Sequence, residues 1–198
     1  MFSFLSPYGG YIRAFGLHRM WGKLTLEEQT KMKEAYSKSI YPDTLELHLI
    51  DNKTATTQPT CSVFSFLYGM AVKLIQQKEY SLAERALMTA TKKVKEPMAL
   101  HSVYNLLIDM FYKQRAEDNA MIDKCIRICR MDMKLAPHIT NEKQEIPSFK
   151  RLAIILESQG DLNGAIEVSK MALQYGLDDG TKGGYQGRID KLSAKTMG

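Results

Sequence analysis

Long apolar runs are missing from this chain. No stretch approaches about 18 consecutive apolar residues, so hydropathy predicts no membrane-spanning helix. Proline is sparse, six in 198 residues, and long segments are left free to stay helical. Cysteine is sparser still. Three, an odd number, do not make a disulfide framework and fit a reducing compartment, with the cytoplasm as the expected location. The opening MFSFLSPYGG has neither a basic start nor an adequate apolar core, so no secretory signal is predicted. There is no arginine-rich tract, and a net charge of +5 is too mild to argue for nucleic acid by itself. No nucleophile-elbow motif, no His-Glu-x-x-His and no paired-carboxylate signature appears, and the expectation is a protein that is not an enzyme and has no cofactor. What remains, at 44% hydrophobic and 25% charged, is an ordinary globular composition.

The most informative stretch is FKRLAIILESQGDLNGAIEVSKMALQYGL, residues 149–177. Phe149, Leu152, Ala153 and Leu156 recur at i, i+3, i+4 and i+7, which draws one apolar stripe along a helix. Gly160 suits the left-handed residue that closes such a helix, and Gly176 supplies a second stop. Between them Leu162, Ala165, Ile166, Ser169, Ala172 and Leu173 form another stripe. Two helices joined by about three residues must pack antiparallel, with Ala153, Ala165 and Ala172 small enough for close approach where they cross.

The same spacing returns upstream. Leu67, Met70, Ala71 and Leu74 repeat the first stripe, Lys78-Glu79-Tyr80 takes the place of Gly160-Asp161-Leu162, and Ala83 and Ala90 match Ala165 and Ala172. Ala83 and Ala165 lie 82 residues apart, two periods of 41, and the middle unit is supplied by Val103, Leu106, Leu107 and Met110, then Met121, Ile122, Cys125, Ile126 and Cys129. Three hairpins are therefore expected, at about 61–95, 98–136 and 147–177, followed by a capping helix at about 184–195.

Before the array, residues 1–22 are aromatic without a clean period, and Tyr11, Ile12, Phe15 and Leu17 suggest a short helix lying over the next hairpin. Thr25 and Glu28 form a capping box that opens a helix running to about Ile40. Residues 45–50 read equally as strand or helix. Residues 51–60, polar and proline-containing, read as a linker, giving an N-terminal extension over 1–60 and a helical repeat domain over 61–198.

Several constellations have bland explanations. Gly180-Thr181-Lys182-Gly183-Gly184 lacks the order of a phosphate loop and reads as a turn. Cys125 and Cys129 share a helix face without accompanying ligands, and no metal site is expected from them. Asp178-Asp179 reads as a solvated turn. Lys124, Arg127, Arg130 and Lys134 share the opposite face of their helix, either as a solvated outer surface or as a basic ridge for an acidic partner or nucleic acid.

The order of large, small, Gly-Asp-hydrophobic and two alanines seven apart in residues 149–177 resembles one tetratricopeptide repeat, with Phe149 in place of the pattern's Trp and Leu177 in place of its Pro. The 41-residue period exceeds the family's usual length of about 34, so a HEAT-like or other hairpin array stays open, as does an ordinary helical bundle. The resemblance implies an all-α fold, a right-handed superhelix of about three hairpins whose first helices line a concave groove for a peptide. By that resemblance the groove is lined by Tyr68, Val72 and Ile75, then His101, Tyr104, Asn105, Ile108 and Tyr112, then Lys150, Arg151, Ile154 and Glu157. These positions lie off the Leu/Ala stripes. Of the five positions with which one subgroup grips a terminal carboxylate, Asn105 and Arg151 match, while Tyr68, Val72 and Pro147 do not, so the full clamp is not expected. The implied function is a protein- or peptide-binding scaffold. A nucleic-acid-associated regulator using the basic face and a self-associating structural module are the alternatives.

Overall fold

The structure is a computed structural model that describes residues 7–39, 47–56, 58–139 and 146–196. Among these residues there are eleven α-helices and no strand, so the protein is all-α with neighbouring helices packed together. The chain divides into two compact units, Met1–Lys95 and Glu96–Gly198.

In the first unit, α1 (Gly10–Ala14) and α2 (His18–Trp21) precede α3 (Leu26–Ser37), and the hairpin of α4 (Val63–Gln76) and α5 (Tyr80–Lys93) completes it. The capping box at Thr25 is formed on both sides: Glu28 N–H donates to Thr25 Oγ1 at 3.1 Å, and Thr25 N–H donates to Glu28 Oε2 at 2.8 Å. The helix it opens packs on α4. Its expected end near Ile40 and residues 45 and 46 of the undecided segment fall outside the described residues, and Leu47–Leu49 forms a single 3-10 turn.

Of the described N-terminal aromatics, Tyr11 and Trp21 are core residues. Tyr11 and Tyr36 stand with their ring centroids 5.6 and 4.7 Å from that of Phe66, a contact worth about 0.5–1.5 kcal/mol per pair beyond area burial. Trp21 is fully buried and donates its indole N–H to Asp51, which also accepts from Lys33 Nζ at 3.1 Å. The polar segment after Ile50 is drawn onto this cluster, because Gly10 N–H donates to Ala55 O and Ile12 N–H to Ile50 O, each at 3.0 Å. Gly10, at φ +50°, lies so close to the Leu49 carbonyl that no side chain would fit.

In the second unit, α6 (Pro97–Gln114) and α7 (Ala120–Met133) form one hairpin and α9 (Pro147–Ser158) and α10 (Leu162–Gln174) another, with the four-residue α8 (Ala136–Ile139) between them and α11 (Gly184–Thr196) packed on α10. α9 lies against both α7 and α6, so the two hairpins stack. Ala153, Ala165 and Ala172 have no exposure, as expected of residues at a crossing point, and the same holds for Ala83 and Ala90 in the first unit. Cys125 and Cys129 are likewise fully buried, where they pack as small apolar groups.

Three of the helix stops are left-handed residues with one hydrogen-bond pattern, whereas the middle hairpin turns after Gln114 without a left-handed residue. Lys78, Gly160 and Gly176 have φ of +63°, +81° and +68°. The N–H after each reaches back across the turn: Glu79 to Leu74 O, Asp161 to Leu156 O and Leu177 to Ala172 O, at 2.9, 2.9 and 3.0 Å. This closes the last carbonyls of α4, α9 and α10 in the same way. The long repeat period has two sources, the length of α6, 18 residues against 14 for α4 and 12 for α9, and the connection 134–146 between α7 and α9.

Candidate functional site

The first turn of α6 is fixed by Pro97 at its first position and by Glu96, whose carboxylate accepts from the N–H groups of Met98 and Ala99. That register sets where the expected groove residues point. His101 is 2% exposed and Tyr104 6%, and Ile108 is buried with them. Their sites are inside the unit, so a ligand on the surface would not meet those rings. α6 has α7 against one side and α9 against another, and the two neighbours together cover more of it than one Leu/Ala stripe accounts for.

His101 sits in a side-chain network. Its Nδ1 lies 2.8 Å from Asp132 Oδ1 on α7, and Asn105 Nδ2, one turn along α6, lies 2.9 Å from its Nε2. The amide donates to Nε2, so the ring proton is on Nδ1 and the imidazole bridges two fixed partners. Both nitrogens are engaged, and as placed the His–Asp pair offers no base to an incoming substrate. Tyr104 lies in the same interior, where burial first and then the Asp132 charge push its phenol up.

The expected groove residues that reach the surface of this unit lie on neighbouring strips of α6 and α9. Asn105 and Tyr112 on α6 and Arg151 and Ile154 on α9 are half-buried. Arg151 joins the two helices, its guanidinium carbon 3.8 Å from the Tyr112 ring centroid and its Nη2 3.6 Å from Asp109 Oδ1. Arg115 also lies over the Tyr112 ring, at 3.7 Å. Lys150 is turned to another task, donating to the Asp179 carbonyl at 2.6 Å and anchoring the loop before α11. Asp109 and Arg115 were not singled out from the sequence, although Asp109 lies three residues before Tyr112 and Arg115 three after it, on one helix face. In the first unit, Tyr68 and Val72 are half-buried on α4, with the Tyr68 ring stacked on Phe64 at 5.0 Å.

The basic face of α7 is present as a surface. Arg127, Arg130 and Lys134 are exposed and border a shallow depression of about 470 Å³ with Ile126 and Met131, while Lys124 lies half-buried with its ammonium 5.3 Å from the Phe111 ring centroid. On the buried side of the same helix, hydrogen bonding with Cys125 and then burial push the Cys129 thiol far up, which leaves it unreactive. Among the described residues no three His, Cys, Asp or Glu side chains gather as metal ligands. Nor is any helix among them long and apolar enough to cross a membrane.

Asp178-Asp179 is not a solvated turn throughout. The Asp179 carboxylate has no exposure, accepts from Thr181 N–H at 3.0 Å and pairs with Arg188 at 3.2 Å, and Arg188 and Lys195 of α11 both reach Glu157 of α9.

No protein-family model, no curated protein and no solved structure matches this chain. The class that the fold defines is an all-α protein of packed antiparallel hairpins.

Proposed function

We propose that this chain is a tetratricopeptide-like scaffold, not an enzyme, that holds a protein or peptide partner against the leading helices of its hairpins. The observation that supports this most is the joint surface of α6 and α9, where Arg151 bridges Asp109 and Tyr112 and leaves Asn105 and Ile154 half-exposed beside them. Tyr and Arg are the residues most often found to dominate the energy of protein contacts, and a tyrosine held by two guanidinium groups is already ordered before a partner arrives. The three matching helix stops support the repeat reading, and with it the right-handed superhelix that such hairpins form. Three free thiols, two of them buried, suit the cytoplasm. A groove of only three hairpins is short, and its expected affinity is micromolar, about −8 kcal/mol.

The test is affinity capture with the full chain, identification of what is held, and a titration with the purified partner. Arg151→Glu combined with Ile154→Asp is expected to weaken that binding about tenfold or more in a variant that circular dichroism shows to be folded, with a lower melting temperature because Arg151 also ties α9 to Asp109 and Tyr112 of α6. Equal affinity in the folded double variant removes α6 and α9 as the contact. A second reading rests on the exposed cations of α7: a regulator that touches nucleic acid through Arg127, Arg130 and Lys134. It predicts a gel shift at low salt that disappears as salt rises, and no shift at low salt discards it.

A further inference from the structure

From Arg85 onward α5 turns a basic stripe outward. Arg85, Lys92 and Lys93 stand along it, and Arg19 and Lys23 face them from the segment that leads through and out of α2; between the two walls opens a basin of about 960 Å³. Its floor is apolar, with Leu17 and Met20 buried and Met88 half-buried. No carboxylate lines it. Among the described residues, only Arg85 of the five cations has an acidic neighbour, Glu28 at 4.0 Å, and its guanidinium also donates to the Lys23 carbonyl at 3.2 Å.

The walls also meet at Gly16. Gly16 has φ +62°, and a Cβ built there would stand 2.9 Å from Lys93 Nζ. The Lys93 ammonium therefore lies against the turn between α1 and α2. Five cations around one concavity repel one another and destabilise the folded unit unless a counter-charge occupies the space. The volume falls in the range of small-molecule sites, about 300–1,000 Å³, and an open basin walled by two elements suits a compact ligand better than an extended chain. Phosphoryl groups concentrate two or more charges within a few ångströms and match the arginine fork, whereas carboxylates along a peptide spread theirs.

We propose that this basin binds a small polyphosphate, its phosphoryl groups held by Arg19, Lys23, Arg85, Lys92 and Lys93 above the floor of Leu17, Met20 and Met88. The site lies within the first unit and does not rest on the reading of α6 and α9. Inorganic tripolyphosphate titrated calorimetrically into the full chain at low salt is expected to bind one to one and to raise the melting temperature. Arg19→Ala with Lys93→Ala should weaken it about tenfold or more, while Arg127→Ala with Arg130→Ala, which removes the same charge from α7, should leave it within about twofold. ATP titrated without metal separates the sources. Tighter binding than tripolyphosphate assigns a nucleotide with its base on the apolar floor, and equal binding assigns the phosphate chain alone; both support the site. Absence of binding, or equal weakening by the two folded variants, overturns it. So does a single-stranded oligonucleotide that displaces tripolyphosphate and is lost on the same substitutions, since the basin would then belong to nucleic acid.

Discussion

Asp132 is buried with no exposure, and one of its oxygens accepts from His101 while the other, Oδ2, has no partner; Asn105 Oδ1 is in the same position. A buried carboxylate persists where its hydrogen bonds repay part of its lost hydration. Replacing Asp132 by Ala strands the His101 N–H in an apolar interior. The expected cost is about 2–3 kcal/mol, read as a lower urea midpoint for the full chain, and an unchanged midpoint would show that the bond contributes nothing net. None of this was legible at the level of single residues. His101 and Asp132 are 31 positions apart, and their pairing depends on how α7 is rotated against α6. The positions of Asn105 and Arg151 at the surface were legible, because helical spacing carried them off the apolar stripes.

Elements were read best where backbone geometry is local. The stops at Gly160 and Gly176 follow from glycine's access to positive φ, and the capping box from three-residue spacing. Lys78 shows that the turn outlasts its usual residue: it adopts φ +63° with a side chain, because the Glu79-to-Leu74 bond and the packed hairpin hold it there. Lys78→Gly should relieve that strain and stabilise the protein by about 0.5–1 kcal/mol, after the entropy that glycine adds to the unfolded chain is set against it. A higher melting temperature checks this; a lower one would mean that the lysine side chain contributes more than its backbone costs. The helices α1 and α2, five and four residues long, were poorly legible because neither completes enough turns to show a period.

For the molecule as a whole, the acid limb of stability has a structural origin in the second unit. Burial works to raise Asp179, but the Thr181 donors and Arg188 outweigh it and hold the carboxyl below its usual value. The Lys195 hydrogen bond, against a smaller effect of burial, does the same for Glu157. Both groups bind protons more weakly folded than unfolded. Their stabilisation is therefore complete above the unfolded carboxylate range, near pH 4, and is lost as pH falls through the lower folded values. Arg188→Ala should lower the melting temperature at neutral pH and differ progressively less from the unaltered chain below about pH 4. A difference that stays constant across that range would assign the effect of Arg188 to packing instead.

The sequence by itself determined the longer helices, the stops at Gly160 and Gly176 and the alanines at which helices cross, since each follows from a period, a φ angle or a side-chain size within a few residues. Only the tertiary structure decided which helix faces stay open. A hydrophobic stripe records that one side of a helix is buried, but α6 is packed by more than one neighbour, and His101 and Tyr104, off the stripe, are buried with Asp132 of α7 beside them. The basin above Leu17 has the same origin: its cations stand on segments more than sixty residues apart, and no local pattern marks a concavity that exists only when those segments meet.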